Sequence, residues 1–146
     1  MYLLISILSF VGQDSVNYDA TDISCIDLVG LRATEFVINS DHELKEFVYK
    51  ARRSFPFKYL PPGTVCEDFP AIEFNEKTLI GYTVMVGGCN EPTWDMTFLQ
   101  RDGEYYMHVE VGENGSCRAL FTKSYWIIAD KIEHADLIHF EKNHHK

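Results

Sequence analysis

Along 94–98 and 105–111 apolar residues recur at every second place, and no other feature constrains the fold as much. The run 78–86 is rich in β-branched residues. Trp94, Met96 and Phe98 alternate with Asp95 and Thr97, and Tyr105, Met107, Val109 and Val111 alternate with Tyr106, His108 and Glu110. A period of two puts one set on a buried face and the other on a wet one. Asp102-Gly103 reads as a hairpin turn, and Asn114-Gly115 as a second, of the type with positive φ at both central residues. Cys117, Ala119 and Phe121 continue on one face, and 124–129 and 137–141 complete the set. Shorter strands are expected at 34–38 and 71–74.

One segment keeps the helical period instead. Ser40 followed by Glu43 forms a capping box, and Asp41 adds negative charge at the positive end of the helix dipole. Leu44, Phe47, Val48, Ala51 and Phe55 then make a single apolar stripe. Lys50, Arg52 and Arg53 suit the far end, and Pro56 stops the helix. The spacing predicts a helix over 41–55 that buries its stripe on a sheet. Pro61-Pro62-Gly63 marks an irregular crossing after it. The expected architecture is α+β: one amphipathic helix packed on a mostly antiparallel meander sheet, stapled by disulfides. A single domain is expected over 25–141, after a loose polar lead-in at 13–24 and before a frayed tail at 142–146.

The run from Leu3 to Val11 has the length of a signal-peptide core and is too short to cross a bilayer as a helix, which takes roughly 20 apolar residues. No Lys or Arg precedes it, and Phe10 departs from the small-residue cleavage pattern; the expected cut is near Gly12, leaving 1–12 as a leader. An exported chain, secreted or periplasmic, with four cysteines reads as disulfide-bonded. Cys25, Cys66, Cys89 and Cys117 allow three connectivities by count, and none of them stands at the Cys-x-x-Cys spacing of a zinc or redox motif. The expected pairing is Cys25–Cys66, tying the lead-in to the crossing, and Cys89–Cys117, tying the Gly87-Gly88 loop to the strand after Asn114-Gly115.

A net charge of −9, with no basic cluster larger than Arg52-Arg53, argues against nucleic acid and anionic membrane as partners. It leaves only a slight hint of a basic one. Gly81 and Gly87-Gly88 bracket a strand and are not followed by a helix, so they read as a bulge or an unusual turn beside a disulfide and not as a phosphate cradle. His108 and Glu110 share a strand face, and His134 and His139 could approach it from the end of the chain. Tyr106 on the same face marks it as ordinary solvent surface, and no cofactor, metal site or catalytic set is expected. Glu67, Asp68 and Glu73 carry no distance from which an acid–base pair could be argued. Trp94, Trp126 and Tyr106 are the natural anchors of an interface, with the core as the other place for both tryptophans.

Further residues carry a likeness. Pro70-Ala71-Ile72-Glu73-Phe74, Lys77-Thr78-Leu79-Ile80-Gly81, Gly87-Gly88-Cys89, Gly115-Ser116-Cys117 and Tyr125-Trp126-Ile127-Ile128, with Lys131-Ile132 close behind, resemble small exported proteins of Bacteroidetes-type bacteria. Some of these look like the C-terminal domain of PrcB, an accessory subunit of a surface protease complex. The segment Asp130-Lys131-Ile132-Glu133-His134 departs from that pattern in lacking a proline. The resemblance implies a fold and a compartment, and no mechanism. Two function classes follow: a non-catalytic interaction or accessory domain with a protein partner in the cell envelope, or a small-ligand-binding or hydrolytic protein with a pocket between helix and sheet.

Overall fold

The computed structural model describes residues 14–21, 23, 35–54 and 70–144. In chain order these form β1 (Asp14–Ser15), β2 (Tyr18–Thr21), β3 (Glu35–Ile38), α1 (Asp41–Ser54), β4 (Lys77–Gly88), β5 (Trp94–Arg101), β6 (Glu104–Val111), β7 (Ala119–Asp130) and β8 (Ile138–His144). The strands make two four-stranded sheets, in the orders β1-β5-β6-β8 and β2-β7-β4-β3. Every pairing is antiparallel except β6 with β8. The α+β class and antiparallel character stand as expected, whereas a single meander does not.

Turn chemistry explains the difference. Asp102 (φ 55°) and Gly103 (φ 85°) both take positive φ and fold β5 onto β6 as a tight hairpin. Asn114-Gly115 forms no hairpin: Gly115 alone of the two has positive φ, and β7 pairs with β4 and β2 instead of β6. Here the Asn114 carbonyl accepts the amides of Cys89 (2.5 Å) and Asn90 (3.2 Å), and its side-chain amide donates to the Gly87 carbonyl (2.9 Å). Held against the end of β4, the loop delivers the chain to the other sheet, and the strand begins at Ala119, beyond Cys117.

The apolar sets of the two sheets face each other. Ile80, Tyr82, Val84 and Val86 of β4 meet Phe98, Met107, Val109, Val111 and Ile138 across the gap, with Ile127 and Ala129 beside them. Each such side chain contributes roughly 1.5–3 kcal/mol when fully buried. Because β4 is central and α1 lies on its far side, its residues from Thr78 to Val84 are buried on both faces. That is why this segment reads as a β-branched run instead of an alternation.

On the far side, Leu44, Phe47 and Val48 of α1 pack with Phe36, Ile38, Leu79 and Trp126. The Phe47 and Trp126 rings are 5.6 Å apart, and Phe36 stacks on Trp126 at 5.8 Å. Gly81 lies opposite Trp126, and a Cβ there would fall 2.4 Å from the indole ring, so the glycine makes space for it. The helix start is capped as expected at Ser40, whose Oγ accepts the Glu43 amide (3.2 Å). The Glu43 carboxylate reaches one residue further back, to the Asn39 amide (2.6 Å). Asn39 also accepts from the Thr78 hydroxyl, and Lys131 donates to the Asn39 and Phe74 carbonyls, so one polar cluster ties helix, sheet and the approach to β8 together.

Three more expectations change. Residues 71–74 are not a strand, because the Glu73 carbonyl accepts the amides of both Glu76 and Lys77 and turns the chain into β4. The lead-in contributes β1 and β2, held by backbone pairing to β5 and β7, which its polar side chains could not reveal. The tail is strand up to His144, paired with Val111. Cys89 and Cys117 form the expected disulfide, with Cα atoms 4.6 Å apart. The expected Cys25–Cys66 pair, the leader, and the crossing with Pro61-Pro62-Gly63 lie outside the described residues, as do Glu67 and Asp68.

Candidate functional site

Strand alternation sorts the candidate residues before any chemistry is considered. Trp126 is 4% exposed and belongs to the helix-side core; Trp94 is partly buried against the inter-sheet core. Both indole N–H groups are buried with no hydrogen-bond partner among the described residues. Tyr106 alone of the three lies on the outer face of the sheet β1-β5-β6-β8. It shares that face with Glu104, His108 and Glu110, because Tyr105, Met107, Val109 and Val111 point inward. Across the sheet, Thr97 and Leu99 of β5 stand opposite His108 and Tyr106, and Glu141 and His139 of β8 stand opposite the same two.

These side chains enclose a shallow cavity of about 320 Å³, lined by Thr97, Leu99 and Arg101 from β5, Tyr106, His108 and Glu110 from β6, and Glu141 from β8. His108 sits at its centre: Nδ1 is 3.3 Å from the Glu141 carboxylate and Nε2 is 3.5 Å from that of Glu110. The imidazole is mostly covered, whereas both carboxylates are half-open to solvent. The Arg101 guanidinium rests 4.5 Å from the centroid of the Tyr106 ring. From the β8 side His139 stacks on the same ring, at 5.0 Å and 27°. The Tyr106 hydroxyl donates to Glu104 (2.9 Å), and His139 Nε2 lies 3.2 Å from that carboxylate without hydrogen-bond geometry. Contact with Tyr106 first, and then the charges of Glu141 and Asp102, push the Arg101 pKa up, so it is a permanent cation here.

The structure therefore brings His108, Glu110, Tyr106 and His139 together, and leaves out His134, which is exposed beside the short 3₁₀ turn Ala135–Leu137. Glu73 is exposed and serves through its backbone. Arg101, Glu104 and Glu141 escaped the sequence reading. Strand parity could have placed Glu104 beside Tyr106, but only the parallel register of β8 brings Glu141 to His108. Among the described residues no group of three His, Cys, Asp or Glu is placed to hold a metal ion, and no helix is long and apolar enough to cross a membrane. The glycines at Gly81 and Gly87-Gly88 sit in β4, against Trp126 and the Asn114 loop. Compared with known proteins, the chain matches no family model, no curated protein and no solved structure.

Proposed function

We propose that this chain is a non-catalytic exported domain, secreted or periplasmic, that binds a protein partner of the cell envelope in an accessory role. One observation carries the reading: the outer face of β5, β6 and β8 presents a polar, aromatic-containing groove on a sheet whose other face is locked into the core. A rigid sheet that displays fixed side chains has little ordering entropy left to lose on binding. The Cys89–Cys117 disulfide fits an oxidising compartment, and the resemblance to PrcB-like proteins leans toward an accessory role.

A photo-reactive residue at Thr97 is the direct test in the native host. The expected result is a covalent adduct with one envelope protein from Thr97 and none from Lys45, which is exposed on α1. No adduct from Thr97 overturns the reading. The alternative, a small-ligand or hydrolytic protein, draws on the same cavity, whose volume falls within the usual 300–1,000 Å³ of ligand pockets. That cavity is not between helix and sheet; the described part of that space is filled by Phe36, Phe47 and Trp126. Turnover lost in His108→Ala would favour this second reading.

A further inference from the structure

We propose that the outer face of β6 and β8 is an acid-fastened clasp: protonation of His108 and His139 ties the last strand to the sheet, and rising pH loosens it. β8 is the strand on which such a device can act. It lies at an edge, paired among the described residues with β6 alone, and by the one parallel ladder among the described strands. Only its first half reaches the core, through Ile138 and the half-buried Phe140, whereas Glu141, Lys142, Asn143 and His144 are exposed. The outer half is held by its backbone pairing to β6 and by side-chain contacts on the outer face.

Two histidine–carboxylate pairs cross that boundary in opposite senses. His108 of β6 faces Glu141 of β8 (Nδ1, 3.3 Å), and His139 of β8 faces Glu104 of β6 (Nε2, 3.2 Å). The protonation state decides what each pair contributes. Both ring nitrogens of His108 face carboxylates, because Nε2 lies 3.5 Å from that of Glu110. A neutral imidazole has one N–H and turns a lone pair toward the other acceptor, whereas the imidazolium donates to both. His139 Nε2 is buried without a hydrogen bond among the described residues, so a lone pair there meets the Glu104 charge and a proton there completes an ion pair. The other charged neighbours come from β5. Arg101, over the Tyr106 ring on which His139 stacks, opposes a second cation, and Asp95, opposite Glu110, favours one at His108. Imidazoles change charge between about pH 5 and 8, where carboxylates stay ionised. Engaging the clasp takes up protons, so acid favours it and rising pH releases it. The end Glu141–His144 then loosens, and the edge of β6 from His108 to Val111 loses that cover.

The test is amide hydrogen exchange of the whole chain at about pH 5.5 and about pH 8, expressed as protection over an unstructured peptide at the same pH. The β8 amides are expected to be about fivefold better protected at the lower pH, the scale of half-exposed ion pairs, with no such ratio in the β4–β7 ladder. Glu104→Gln with Glu141→Gln, nearly isosteric and uncharged, is expected to bring the β8 ratio to one. His108→Gln with His139→Gln removes the titrating groups instead; the same result is expected, and this variant serves if the first does not fold. An equal ratio in β8 and in the ladder would assign the effect to global stability and overturn the clasp. A β8 ratio of one in the unaltered chain, or a ratio that survives in either folded double variant, would overturn it too.

Discussion

The outer faces of the two sheets begin from the same strand periodicity and end as opposites. On the sheet β2-β7-β4-β3 the outward positions Leu79 and Trp126 lie under a helix, and the rings of Phe36, Phe47 and Trp126 meet within 4.8–5.8 Å. On β1-β5-β6-β8 the outward positions are Glu104, Tyr106, His108 and Glu110, and they meet ion-pair partners instead. The first face is covered by apolar packing, and the second carries polar side chains partly open to solvent. Truncations on the first face should therefore unfold the protein, and on the second they should leave it folded.

Phe47→Ala is the largest expected break in that contrast. It empties a site 9% exposed beside Trp126 and should cost about 3–5 kcal/mol in chemical denaturation. An unchanged midpoint would mean that the helix is not part of the core. Replacing Cys89 and Cys117 by Ala opens a loop of 28 residues, with about 3–4 kcal/mol expected in the chain-entropy model. Gly81→Ala pushes a methyl into the Trp126 ring and should cost about 1–3 kcal/mol, visible as a shift in tryptophan fluorescence as well as in stability.

Tyr125 sharpens the comparison from inside. Its hydroxyl is buried with no partner among the described residues, and burial first, then the charge of Asp95, push its pKa up to about 12. An unfolded tyrosine ionises near pH 10. Between about pH 10 and about 12 the unfolded chain therefore holds fewer protons than the fold, and stability falls as pH rises. Tyr125→Phe should remove that part of the decline, read as melting temperature against pH. The smallest effect belongs to the open face: His108→Ala should shift stability by no more than about 1 kcal/mol, because ion pairs whose carboxylates are half-open to solvent contribute little. A loss as large as that of Phe47→Ala would show that the groove is structural.

Sequence periodicity was a good guide where one residue's neighbours are local. The helix start at Ser40, the packing of Leu44, Phe47 and Val48 and the Asp102-Gly103 hairpin depend on residues a few positions apart, and each stands where expected, while the side chains of Ala51 and Phe55 lie outside the described residues. Sheet membership does not depend on such neighbours. Asn114-Gly115 carries the same turn chemistry as a hairpin, yet tertiary hydrogen bonds to Gly87, Cys89 and Asn90 send the chain elsewhere. The tryptophans stayed open between interface and core because an aromatic on a strand looks the same whether its face is wet or covered, and α1 covers Trp126. The alternation of β6 made Tyr106, His108 and Glu110 of the groove legible. Glu141 comes from β8, whose parallel pairing with β6 rests on backbone geometry.

The position of the Cys89–Cys117 bridge also bears on the order in which the molecule assembles. Its two cysteines flank the end of the β4–β7 ladder where Gly88 meets Ala119, and their separation is 28 residues, against 53 at the opposite end between Lys77 and Asp130. The entropy lost in closing a loop grows with its length, and distant pairings form slowly. A chain crosslinked there starts the ladder where closure is easiest, and each further pair toward Lys77 extends an existing ribbon by one step. The slowest contact of the central sheet becomes a zipper with its first tooth engaged.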